Sequence, residues 1–405
     1  MARGPASSTA AVAAVTAGLC LGLAAPGTGQ EAAERDLRVE GEYGLHVREL
    51  PADGHGSSAS APGSVEVVWL NRGTDQGLLR VFVGDSVVHQ DTTLAGLVHR
   101  ATFPDIFPRP LTLEYGSASD PDGRFRTTLR PPPGRAEGVV TGADSLFVVG
   151  DVHGEYDNLV ALLGNAGLID DELRWTGGRS HLVLLGDLLD RGPNVTRVLW
   201  LLYRLETEAE AAGGRVHIVL GNHELLVISG DLRYVHPKEQ LLADYTGIAY
   251  DELFDPDHTV LGRWLASKPG LMKIDDVLLA HGGVVGHWSD VPVPAFNDTL
   301  AIYLDEENFD HEHFFWSDES VFWHREYVLS HSMRSELHRA LKGHDAELHV
   351  IANTTVPSIE ERYDGKLIAV DLENPATEML MLTGEPGARK RYRYTMEGPP
   401  EPLGG

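Results

Sequence analysis

Two textures of hydrophobic patterning divide the chain. In residues 36–130, apolar and polar positions alternate in short runs broken by Gly, Pro, Asp and Ser. Val65-Glu66-Val67-Val68-Trp69-Leu70, Leu78-Leu79-Arg80-Val81-Phe82-Val83, Leu111-Thr112-Leu113-Glu114-Tyr115 and Phe125-Arg126-Thr127-Thr128-Leu129 are such runs. A period of two puts successive side chains on opposite faces of a strand, so this spacing predicts a small all-β sandwich. Pro131-Pro132-Pro133-Gly134 opens a stiff linker over residues 131–143.

From Ser145 the period changes. Leu146-Phe147-Val148-Val149, Leu182-Val183-Leu184-Leu185 and Val216-His217-Ile218-Val219-Leu220 read as buried strands. Between them, Asn158 to Ala166 and Asn194 to Ala212 carry apolar residues at helical spacing, including Leu159, Leu162 and Leu163, then Val198, Leu201, Leu202 and Leu205. Strand and helix in alternation predict an α/β unit with a βαβαβ core, spanning residues 144–385. Further strands are expected at Val277–Ala280, His349–Ile351, Leu367–Val370 and Met379–Leu382. Residues 386–405, rich in Pro, Gly, Arg and Glu, read as a flexible tail.

Length and composition add further constraints. A length of 405 residues with 42% hydrophobic content suits two domains with separate cores. Residues 1–30 have the layout of a secretory signal peptide: Arg3, the apolar run Ala10 to Ala25, small residues with Pro26, then polar sequence from Glu31. That predicts a secreted or periplasmic protein with no membrane segment in its mature form, the alternative being a retained N-terminal anchor. Cys20, the only cysteine, falls in this segment, so neither disulfides nor thiolate metal sites are expected afterwards. The formal net charge of −27 disfavours nucleic acid as a partner. A site for an anionic substrate would then need its own positive field, which metal ions supply.

The chemistry-bearing residues stand where the strands end. The first runs into Gly150-Asp151-Val152-His153-Gly154, the second into Gly186-Asp187-Leu188-Leu189-Asp190-Arg191-Gly192, the third into Gly221-Asn222-His223-Glu224 and a fourth into His281-Gly282-Gly283. Loops at the carboxyl ends of strands converge on one crevice in open α/β sheets. Asp151 and His153, two apart, can project to one side and share an ion. Asp187 can bridge two ions, and Asn222 and His281 add a carbonyl oxygen and an imidazole nitrogen. Oxygen and nitrogen donors without sulfur favour two divalent ions of Mn, Fe or Zn.

GDVHGEYDN, GDLLDRG and GNHE, in this order and each after a strand, resemble the phosphoprotein phosphatase branch of the calcineurin-like metallophosphoesterases, most of all its bacterial and Shewanella-like members. The resemblance covers about Ser145 to Thr383. It implies a two-sheet β-sandwich flanked by helices. It also implies that Asp151, His153 and Asp187 hold one metal and that Asp187, Asn222 and His281 hold the other. His223 would be the leaving-group acid, Asp190 its hydrogen-bond partner and Arg191 a phosphate ligand. Phe322-Trp323-His324-Arg325-Glu326-Tyr327 resembles a Trp-x-Arg-Gly-Tyr stretch of bacterial relatives and nominates Arg325 as a second phosphate ligand, although Glu326 replaces the glycine. The N-terminal strand rhythm and Trp69 resemble the fibronectin type III-like modules that precede the catalytic domain in some secreted metallophosphatases.

One departure from the pattern stands out. The family's Gly-His-Thr segment aligns with Ala352-Asn353-Thr354, so an imidazole ligand is replaced by Asn353. Asn353 can coordinate through its amide oxygen and hold the second metal less tightly, which is the preferred reading. Alternatively His344 or His349 reaches in, or one metal binds well and catalysis is poor. Asp310-His311-Glu312-His313 reads as a solvated turn rather than a metal cluster. The function expected is hydrolysis of phosphorylated protein or small phosphate esters. The alternatives are a dinucleoside polyphosphate hydrolase and a binding module without turnover.

Overall fold

The computed structural model of the protein describes residues 44–50, 63–71, 73–104, 109–131, 134, 138–305 and 313–404. The expected signal peptide, residues 132–133 and 135–137 of the proline linker and Asp310-His311-Glu312 lie outside the described residues.

The N-terminal strands are β1 (His46–Leu50), β2 (Ser64–Leu70), β3 (Gln76–Val83), β4 (Ser86–Ala95), β5 (Val98–Pro104), β6 (Leu111–Ser117) and β7 (Phe125–Leu129). They form two antiparallel sheets, ordered β1-β2-β5 and β4-β3-β6-β7. Val65, Val67 and Trp69 on β2 meet Leu79, Val81, Phe103, Leu111, Leu113 and Leu129 in one core. The intervening Val68 packs into the core of the following unit. That second burial is why β2 reads as a nearly continuous apolar run. The two units are joined by hydrogen bonds as well: Trp200 Nε1 donates to the Leu45 carbonyl at 2.9 Å, and Arg100 Nη2 to that of Thr246 at 2.6 Å.

The second unit begins with the short β8 (Val139–Val140) and is built on two six-stranded sheets. The first sheet contains β9 (Ser145–Val149), β10 (His181–Leu184) and β11 (Arg215–Ile218), all parallel. The second contains β12 (Leu271–Ile274), β13 (Val277–Ala280), β14 (Leu348–Ile351), β15 (Glu360–Arg362) and β16 (Leu367–Ala369), ordered β15-β16-β14-β13-β12-β8. Leu146, Val148, Val183 and Leu185 from the first sheet face Val277, Leu279, Val350 and Ile368 from the second. Phe147, Val149, Leu182 and Leu184 point the other way, under helices α1 (Tyr156–Asn165) and α2 (Val195–Ala211). Leu278 and Ala280 turn outward from the second sheet, where Phe296, Leu300 and Tyr303 cover them. The result is a helix–sheet–sheet–helix stack.

The tail is a correction. Residues 386–404 of the expected tail do not hang loose: β17 (Glu378–Thr383) pairs antiparallel with β9, β18 (Lys390–Thr395) with β17, and β19 (Glu401–Pro402) with β18. The composition misled because the charges are paired on the strand. Arg391 meets Glu361 at 2.7 Å and Arg393 meets Glu378 at 3.5 Å, while Tyr394 packs on the core.

Candidate active site

The carboxyl ends of β9, β10, β13 and β14, with the start of α3 (Asn222–Ile228) after β11, bring the expected residues together. Asp151, His153, Asp187, Asp190, Asn222, His223, His281 and Asn353 are all at least 96% buried. His153 (φ 46°), Asp187 (φ 50°), Asp190 (φ 66°), Arg191 (φ 63°) and Asn353 (φ 58°) all adopt the left-handed conformation that side chains normally avoid. Such strain concentrates where surrounding structure holds groups for function. The loops interlock closely: a Cβ on Gly192 would fall on the His153 carbonyl oxygen.

Donor atoms converge in two overlapping groups. Those of Asp151, Asp187 and His281 lie within 4.8 Å of one another, as do those of His153, Asp187 and His223. Asp187 is common to both. His153 Nε2 is also 3.6 Å from Asp151 Oδ2 and from Asp187 Oδ2. Asn222 Oδ1 lies 2.9 Å from His281 Nε2, which is 3.3 Å from Asp187 Oδ1.

The tautomers suit metal binding. His153 Nδ1 lies 2.8 Å from the Leu189 carbonyl and His281 Nδ1 2.6 Å from that of Leu185. A carbonyl only accepts, so each Nδ1 carries the proton and each Nε2 is available as a ligand atom. His153 Nε2 is buried and has no hydrogen-bond partner among the described residues. Burial pulls the His153 pKa down, but Asp151 and Asp187 outweigh it and raise it to about 9. For His281 burial again pulls down, Asp187 and Asp151 pull up, and the balance is about 10. Both imidazoles respond to an excess of buried negative charge, which fits a site for cations.

Beside this cluster, His223 Nδ1 pairs with Asp190 Oδ2 at 2.7 Å. Its Nε2 lies 3.1 Å from Nη2 of Arg191, which is exposed. Arg325 stands at the start of α4 (Glu326–Leu329) and reaches inward, donating from Nη2 to Asn353 Oδ1 at 3.0 Å. Asn353 is thus at the site, its backbone N–H 3.4 Å from Asp151 Oδ1, with its amide oxygen bonded to an arginine. His349 and His344 do not replace it. His349 lies within β14 and bonds Leu278 and Val284, and His344 bonds the Trp288 carbonyl.

Sequence reasoning missed Glu224 and Asp371. The buried Glu224 carboxylate accepts backbone N–H groups from Asp187, Leu188, Leu189 and Gly221 at 2.7–3.1 Å, clamping two ligand loops together. Its place at the third position of α3 was a signal, because an acid there bonds backwards to the residue before the helix. Asp371, after β16, is buried near Asp151. Burial and that carboxylate raise its pKa to about 8.

Comparison with known proteins agrees with this geometry. Residues 145–368, more than half the chain, match the family described as calcineurin-like phosphoesterase. Shewanella-like protein phosphatase 2 of Arabidopsis thaliana is 44% identical over 203 residues, 40% of this chain and 52% of that protein. A symmetrical bis(5'-nucleosyl)-tetraphosphatase of Cronobacter sakazakii is 32% identical over 181 residues, 40% of this chain and 54% of that protein. The chain thus spans about half the length of these two curated relatives. The crystal structure of a cold-active protein-tyrosine phosphatase from a psychrophilic Shewanella superposes with a TM-score of 0.68 at 25% identity, covering 88% of this chain and 98% of that one. The carboxylate-and-imidazole cluster, its loops and these likenesses place the chain among the calcineurin-like phosphoesterases, in the Shewanella-like part of the phosphoprotein phosphatase branch.

Proposed function

We propose that this protein is an exported, metal-dependent phosphatase hydrolysing phosphomonoesters of proteins or small molecules. The observation that carries the reading is Asp187, the one carboxylate common to both donor groups, with the His223–Asp190 pair beside it. Following the ligand sets that the family resemblance implies, which divide these donors differently from the two groups as they stand, Asp151, His153 and Asp187 would hold one divalent ion of Mn, Fe or Zn, His153 Nε2 lying 3.6 Å from both carboxylates. Asp187, Asn222 and His281 would hold the second, with Asn353 at its margin. Two such ions supply Lewis acidity toward the phosphoryl group and activate the attacking water.

The chain's own residues do the rest. Arg191 and Arg325 grip phosphoryl oxygens through their forked donors. With Arg191 turned from His223 Nε2 to the phosphoryl group, His223, protonated on both ring nitrogens, delivers its Nε2 proton to the leaving oxygen as the bond from phosphorus to that oxygen breaks, and Asp190 stabilises the charged imidazole beforehand. Water provides the new bond to phosphorus, so the products are an alcohol or phenol and inorganic phosphate. Export rests on the apolar run Ala10 to Ala25. The strand order β1-β2-β5 against β4-β3-β6-β7 supports a fibronectin type III-like identity for the N-terminal unit. Cleavage of dinucleoside polyphosphates is a second reading, favoured by the likeness to the Cronobacter enzyme.

The test is turnover of an aryl phosphate by the purified chain, metal-stripped and then supplied with Mn, Fe, Zn, Mg or Ca. Turnover should require metal and fall about 10²- to 10⁴-fold in His223→Asn. Metal binding without turnover would leave a binding module instead. Faster consumption of a dinucleoside polyphosphate than of any monoester would favour the second reading.

A further inference from the structure

The wall beside the proposed leaving-group acid is an aromatic ring. After α3 the chain turns through residues 231–236, with Leu232 and Val235 packed against the core and Arg233 and Tyr234 exposed. Tyr234 is 45% exposed. Its ring centroid lies 5.2 Å from that of His223, with the ring planes inclined at 64°. Its carbonyl oxygen accepts the Arg191 backbone N–H at 2.8 Å. The ring is therefore tied by backbone to the residue that would grip the phosphoryl group, and by packing to the one that would protonate the leaving oxygen. Arg233 supports it: the guanidinium sits 5.5 Å from the ring centroid and is held by Asp231 at 2.6 Å.

The geometry of the reaction supplies the next step. The leaving oxygen must come within hydrogen-bond reach of His223 Nε2. A group bonded to that oxygen is then within reach of Tyr234, whose ring centroid is 5.2 Å from that of His223. In an aryl ester this group is a ring, which can pack against the tyrosine edge-to-face or offset-stacked. In a serine ester it is a methylene, which offers far less contact area.

We propose that Tyr234 is a specificity-determining residue, forming one wall of an aryl subsite that favours aryl phosphomonoesters such as phosphotyrosine over alkyl ones. The proposal rests on the phosphatase reading above and names the substrate class of the same site.

The experiment measures kcat/KM of the full chain with Mn²⁺ on two peptides that differ only in carrying phosphotyrosine or phosphoserine. Wild type, Tyr234→Phe and Tyr234→Ala are compared. In the alanine variant, phosphotyrosine turnover should fall about threefold to tenfold, mostly through KM, with phosphoserine turnover within about twofold. Phenylalanine should keep the wild-type ratio. Equal loss on both peptides would overturn the proposal, because the ring would then act only by supporting His223. So would an unchanged ratio in the alanine variant. Wild type that turns over neither these peptides nor the aryl phosphate of the test above would sink the phosphatase reading and the aryl subsite together, a result distinct from the other failures because it appears before any substitution.

Discussion

Two clusters of buried or half-buried charge, centred in the second unit, are built on opposite principles. At Glu206 the chain balances itself. The carboxylate takes Lys268 Nζ at 2.6 Å, Trp264 Nε1 at 2.7 Å and Arg130 Nη2 at 3.0 Å. Although burial pushes the Glu206 pKa up, Lys268 and its neighbours bring it below the usual carboxylate value. At the strand ends, by contrast, Asp151, Asp187, Asp190 and Asp371 are buried together, and the imidazoles of His153 and His281 are raised to about 9 and about 10. The first arrangement is complete and joins Arg130, at the end of the N-terminal unit, to the second. The other is complete only with cations from outside. Buried charge by itself therefore does not mark a functional site; an imbalance that the chain leaves uncorrected does.

Three substitutions test this contrast. Asp187→Asn removes the shared carboxylate and should lower kcat/KM by at least about 10³-fold. The fold should persist, because the change also relieves like-charge crowding. Metal titrations followed by melting temperature check both, since the stabilisation that metal confers on wild type should largely vanish. Lys268→Met unbalances the other cluster and should cost about 2–4 kcal/mol in chemical denaturation, with turnover per folded molecule unchanged. If the two substitutions exchanged these phenotypes, the contrast would be wrong.

The third case, Glu239, lies between the extremes. Its buried carboxylate accepts from Thr196 Oγ1 at 2.9 Å, and burial raises its pKa from 4.5 to about 7. The folded state therefore holds this proton more tightly than the unfolded state. Its contribution to stability is fully present below pH 4.5, is lost as pH rises toward about 7, and is absent above. Glu239→Gln should gain on wild type between pH 5 and pH 8 by at most about 3 kcal/mol, read from melting curves at the two pH values. A pH-independent difference would show that the carboxylate stays ionised in the fold.

Much of the candidate site was legible because its residues are local to strand ends. GDVHG, GDLLDRG and GNHE each follow an apolar run, and the structure brings all their ligand-type side chains together. Glu224 was harder to read because its role depends on backbone N–H groups 35–37 residues away. Tyr234 was hidden for a similar reason: an exposed aromatic in a polar turn has no pattern of its own, and its contact with His223 arises only because the turn after α3 brings it back against that residue. The paired tail shows the same limit, since Arg391 and Arg393 look solvated until Glu361 and Glu378 come beside them.

The sequence by itself determined the α/β character of the second unit, the run of strands before it, the order of the ligand loops and the chemistry of their donors. These follow from local periodicity and from residue type. The tertiary structure decided that the strands of the second unit split into two facing sheets and that the last strands extend the first sheet. It also decided that Asn353 binds Arg325 through its amide oxygen and that an aromatic wall stands beside His223. Those facts depend on distances between residues far apart in the chain, and no local pattern encodes such distances.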